Sequence, residues 1–126
     1  MKRIDLYFLL LAPVLLLFGA ALGIKMGASE DFHLAPVHAH INLAGWASLA
    51  IFGLVYRAYP QLAERRLALV HFALSSLGSL LLPLGIGLAV LRGEPMLAIV
   101  GSILWVGGVI TFLVQLVGLL RDGRDP

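Results

Sequence analysis

Residues 67–91 read LALVHFALSSLGSLLLPLGIGLAVL, 25 positions without one Asp, Glu, Lys or Arg. At about 1.5 Å of rise per residue, such a run is long enough as a helix to cross the roughly 30 Å of bilayer hydrocarbon. Three more runs share its character: residues 6–24, 37–56 and 96–120. The 126-residue chain is 60% hydrophobic and 13% charged, whereas soluble domains carry about 25% charged residues. Its mean hydropathy of +0.99 points the same way. Short connections leave no room for a soluble domain, the longest being the 12 residues from Lys25 to Pro36. The pattern predicts an all-α protein, a single four-transmembrane-helix bundle over residues 1–126.

Threading the chain through four crossings places Lys2, Arg3, Arg57, Arg65, Arg66, Arg121 and Arg124 on one side and only Lys25 and Arg92 on the other. The positive-inside rule then predicts cytoplasmic N and C termini and a multi-pass protein of the inner (plasma) membrane. Under that topology the net charge of +2 reflects sidedness and calls for no nucleic-acid partner. The first apolar run follows Lys2 and Arg3 as a signal peptide would, but it is longer than the 7–15 residues of a signal core and is expected to stay as a span. The chain contains no cysteine, which excludes disulfides and thiolate metal sites and leaves histidine as the strong metal ligand.

The second run opens with His38-Ala39-His40-Ile41-Asn42-Leu43-Ala44-Gly45-Trp46. Polar and ionisable side chains entering hydrocarbon are costly, face a bundle interior and mark candidate functional positions. Pro36 is a helix-start signal, so the helix is expected from about Val37. Two positions apart at about 100° per residue, His38 and His40 point to nearly opposite sides and cannot both ligate one metal from regular helix. Continuing the face of His40 gives Leu43, Ala44, Ala47 and Ile51, whose small residues would leave space beside the imidazole for a flat group. The plainer expectation for His40 is a hydrogen bond to a neighbouring helix. A copper or other metal site at the outer face would instead draw on His33, His38 and His40, with Glu30 or Asp31.

In the third run His71 precedes Ser75 and Gly78 on one face, near the inner boundary, and is expected to meet headgroups or a neighbouring side chain. About 20 Å of depth separates it from His40, so one chain cannot offer both to a single haem. Gln115 is the one strong amide of the fourth run, suited to a helix–helix hydrogen bond. The acidic residues all lie at the ends of the runs or between them, which argues against a carrier with a buried acidic relay. Gly19 and Gly23 form a small-xxx-small face. Together with the glycines of the third and fourth runs, they predict more close-packing surface than one bundle uses, hence a homo-oligomer.

The run His40-Ile41-Asn42, followed by Gly45, Trp46, Phe52 and Gly53 and ending Tyr56-Arg57-Ala58-Tyr59-Pro60, resembles the second helix of the catalytic subunit of haem-copper oxidases and nitric oxide reductases. Leu67-Ala68-Leu69-Val70-His71-Phe72 resembles the start of that family's following helix. The likeness covers about 50 residues. It implies that His40 is an axial ligand of a low-spin haem b, with Asn42 shaping its surroundings; apart from the resemblance, His38 as a second ligand and His71 for a second haem in an oligomer are the further cofactor-binding candidates. The family's catalytic subunit has about twelve helices, and its second haem ligand and copper-site histidines have no counterpart here. The resemblance therefore implies haem binding for electron transfer or small-molecule sensing rather than oxygen or nitric oxide reduction. A second copy, or a larger respiratory membrane complex, would complete the coordination. The remaining expectations are the outer-face copper site and a non-enzymatic accessory subunit whose polar residues join helices.

Overall fold

Backbone groups in hydrocarbon have no water to bond, so an apolar run of this length is stable there only as a helix that satisfies itself. The computed structural model describes residues 3–123. Helix α1 spans Ile4–Ser29 and ends on Glu30, which takes a left-handed conformation at φ 53°. The second crossing is one continuous rod in three parts: α2 over Ala35–His40, a π-helical segment over Ile41–Ala47 and α3 over Ser48–Ala58. A 3-10 turn at Pro60–Glu64 leads into α4, Arg66–Arg92, and then α5, Met96–Asp122. Among the described residues four helices are long and apolar enough to cross a membrane. Each extends past its hydropathic limit by up to five residues. Hydropathy marks where hydrocarbon ends, whereas the helix ends where backbone geometry stops it, at Glu30 after the first crossing and at Gly93, with φ 72°, after the third.

The start of α1, the end of α3, the start of α4 and the last part of α5 share one end of the bundle. There Arg57 Nη1 donates to Asp5 Oδ2 at 3.1 Å and Arg65 Nη1 to the Gln115 carbonyl at 3.4 Å. His38 and His40 lie towards the opposite end. The core is concentrated in the charged half, where Ile4, Phe8 and Ala12 of α1 meet Leu49, Phe52 and Tyr56 of α3. Phe8 contacts Phe52, Tyr56, His71 and Phe72, with ring centroids 4.9–5.8 Å apart.

Helices α4 and α5 pack backbone against backbone. A Cβ at Gly78 would meet the Trp105 backbone, one at Gly85 the Leu97–Ala98 backbone and one at Gly101 that of Leu82. In α1, Gly19 abuts the Asn42 side chain and Gly23 the His38 ring. The glycine faces are thus largely used inside the bundle.

Candidate functional site

The histidine-bearing end is shaped by the π segment. Its backbone winds so that Ser48 N–H bonds the carbonyls of Leu43 and Gly45 and passes over that of Ala44. Ser48 Oγ also donates to Leu43 O at 2.7 Å. The Ala44 carbonyl, bypassed by Ser48, accepts from two other helices: Ser79 Oγ of α4 at 2.8 Å and Trp105 Nε1 of α5 at 3.2 Å. Single π turns inside α-helices are frequent at functional sites. Here the turn joins three helices through one carbonyl oxygen.

The two histidines ahead of it part company. His38 faces α1 and donates from Nδ1 to Gly19 O at 2.8 Å. That leaves Nδ1 no lone pair for the Asn42 amide, 3.4 Å away, which donates instead to His38 O at 2.8 Å. His40 borders a groove of about 360 Å³ against α4 and α5, lined also by Ala44, Ser48, Leu82, Ser102 and Trp105. Its Nδ1 lies 2.8 Å from Pro36 O. A carbonyl can only accept, so the proton sits on Nδ1 and the lone pair on Nε2. Metal-bound histidines characteristically have their second nitrogen held in this way.

Of the stripe expected beside His40, Leu43 and Ala44 reach the groove and Ile51 does not; it is 56% exposed. The π segment is the reason, since it shifts everything after it out of the regular α register. His33 stands in the connection beyond α1, 80% exposed, its Nδ1 3.6 Å from Asp31 Oδ1. Among the described residues no three His, Asp or Glu side chains gather to hold a metal ion. The grouping of His33, His38 and His40 for copper is not assembled: one is in the loop, one faces α1 and one faces α4 and α5.

His71 is fully buried and meets a neighbouring side chain, one of the two expectations for it. Its Nδ1 lies 2.9 Å from Tyr56 Oη, which also accepts from Gln115 Nε2 at 2.9 Å. The rings of Phe8, Phe52, Tyr56 and Phe112 surround it at 4.6–5.6 Å. This enclosure leaves no opening for a macrocycle, and the structure does not bring His71 to the groove of His40. At the charged end Tyr56 lines a pocket of about 640 Å³ with Arg3, Asp5, Arg57 and Glu64.

The polar roles of Tyr56, Ser79 and Trp105 were not among the expectations from the sequence. A fully apolar setting around their polar atoms was the available signal. No family model matches the chain, and no curated protein or solved structure was found to be similar to it.

Proposed function

We propose that this chain is a small haem-b-binding membrane protein, with His40 as an axial ligand, serving electron transfer or small-molecule sensing. The observation that carries the reading is the His40 imidazole, its Nδ1–H held by Pro36 O and its Nε2 lone pair left for a ligand, beside an apolar groove. The donor set fits the group: one neutral imidazole, small residues at Ala39, Ala44, Ser48 and Ser102, and a low-dielectric wall. Haem iron so ligated supplies one-electron chemistry, and the protein tunes its potential through ligand hydrogen bonding and burial. Pro36 provides the first of these levers and the flanks of α4 and α5 the second. Asn42 acts at one remove, bracing α2 through His38 O.

The groove is at the small end of the roughly 300–1,000 Å³ range of ligand pockets. Part of the macrocycle would therefore lie outside this chain, against lipid, a second copy or a larger respiratory complex. Among the described residues no second imidazole lines the groove, so a six-coordinate centre requires a ligand from such a partner. His33, His38 and His71 are not assigned to the group. The same reading places the protein in the inner (plasma) membrane with cytoplasmic termini, by the distribution of Arg and Lys.

The test is an optical spectrum of the purified protein, oxidised and dithionite-reduced, with metal analysis on the same sample. A Soret band with sharp reduced α and β bands is expected, and loss of both in His40→Ala with the protein still inserted. Full haem retention in that variant overturns the assignment. Stoichiometric copper without a Soret band would move the reading to a copper centre, and neither signal to an accessory subunit.

A further inference from the structure

The bundle interior holds polar atoms that the protein itself leaves unsatisfied. His71 Nε2, Ser75 Oγ, Ser76 Oγ and Gln115 Oε1 are buried with no hydrogen-bond partner, and His71, Ser75 and Gln115 are 0% exposed. A buried polar group left without a partner is costly, so four of them within one apolar interior call for an occupant.

The hydrogen bonds define what the occupant must offer. Gln115 Nε2 can only donate to Tyr56 Oη, and the tyrosine's single hydrogen, which would otherwise be one more buried orphan, goes to His71 Nδ1. The ring then carries its own proton on Nε2, an unmet donor, while Gln115 Oε1 is an unmet acceptor and each serine hydroxyl can do both. Water has this mixture of capacities, and a metal ion does not.

Spacing supports the same occupant. His71, Ser75 and Ser79 recur every four residues on α4, with axial steps of about 6 Å. One bridging water spans about 4.5 Å between the atoms it bonds and two in series about 7 Å, so one or two waters cover such a step. Gly108 of α5 lies directly against Ser75, where a Cβ would fall on Ser75 Oγ, so α5 closes one side of the stripe. The stripe also has defined ends. Tyr56 lines the pocket at the charged end, and Ser79 donates to the Ala44 carbonyl, which lines the groove of His40.

We propose that water molecules occupy the stripe between His71 and Ser79, forming a hydrated column that joins the pocket at Tyr56 to the groove at His40. Its basis is the set of orphaned atoms and their spacing, and it stands whether or not the groove holds haem. Buried waters of this kind characteristically make about three hydrogen bonds to groups otherwise unsatisfied. Such a file is also what any proton movement between the two ends would require.

The experiment is water-edited solid-state NMR on the isotope-labelled full chain in lipid bilayers. Polarisation from water is expected to reach His71 Nε2 within about threefold of the rate at exposed His33, and several-fold faster than the buried Phe8 and Phe52 rings. In Ser75→Ala, which removes the hydroxyl without adding volume, transfer to His71 should fall by about threefold or more with the Phe52 signals unchanged. Transfer at His71 no faster than at Phe8 overturns the proposal, as does a rate unaffected by Ser75→Ala.

Discussion

Tyr56→Phe removes one oxygen from the most enclosed part of the bundle and keeps the ring. Phe would retain the contacts with Phe8 and His71, whose centroids lie 5.7 and 5.6 Å away. What disappears is the acceptor for Gln115 Nε2 and the donor for His71 Nδ1, two bonds of 2.9 Å each. Hydrogen bonds between membrane helices average about 0.6 kcal/mol in double-mutant cycles and reach about 1.7. Orphaning a buried group costs about 1–3 kcal/mol. Tyr56 is 2% exposed, so bulk water cannot replace the lost partner, and the orphaning term governs. Allowing for partial repair by internal water, the variant should lose about 2 kcal/mol. Reversible unfolding in mixed micelles with rising SDS, followed by Trp46 and Trp105 fluorescence, reads this directly. Gln115→Leu alone leaves Tyr56 one bond and should cost about half as much. The double variant should cost less than the two single effects combined by about 0.6–1.7 kcal/mol. A Tyr56→Phe protein within about 0.5 kcal/mol of the parent would refute the claim that this network holds α3, α4 and α5 together.

Gly19→Ala would place a Cβ 2.6 Å from Asn42 Nδ2, forcing the amide off His38 O at a cost of about 1–3 kcal/mol; the same unfolding assay checks it. Ser79→Ala removes one of two donors from the Ala44 carbonyl and should cost about 1 kcal/mol. Adding Trp105→Phe strips the second donor, and this step should cost more in the Ser79→Ala background than in the parent, because only then is the carbonyl bare. Equal costs in the two backgrounds would show that Ala44 O has another partner.

The four crossings were readable because hydropathy and length are properties of the chain alone, and bilayer thickness turns them into helices. The divergence of His38 and His40 was readable as well, since it follows from about 100° per residue over two residues. His71 shows where such reading stops. Its depth was set by counting residues from the end of an apolar run, but its burial depends on Phe8 of α1 and Phe112 of α5, far off in sequence. Gly19 and Gly23 were read as a helix-packing face without a partner, and the partners proved to be the polar side chains of Asn42 and His38. The π segment had no sequence signal beyond a glycine, because it is stabilised from outside, by Ser79 and Trp105 on the Ala44 carbonyl.

That segment decides what His40 faces. Sixteen residues of regular helix at about 100° each would set His40 and Tyr56 about 160° apart, on nearly opposite sides of the rod. A π turn takes up about one extra residue, which brings the two within roughly 60°. The observed contacts agree: His40 borders the groove against α4 and α5, while Tyr56 bonds His71 of α4 and Gln115 of α5. Deleting Leu43, which is 69% exposed and so gives up little packing, should return Ile41–Ala47 to α-helix. The extra residue then goes together with the extra turn: fifteen residues of regular helix set His40 and Tyr56 about 60° apart, the angle that the π turn gives. His40 should therefore keep its place at the groove, any haem bound there should be retained, and the Tyr56–His71 pair should persist. A Leu43-deleted protein that loses the haem spectrum of the parent, or whose unfolding midpoint falls as in Tyr56→Phe, would show that the π turn does not set the register of His40.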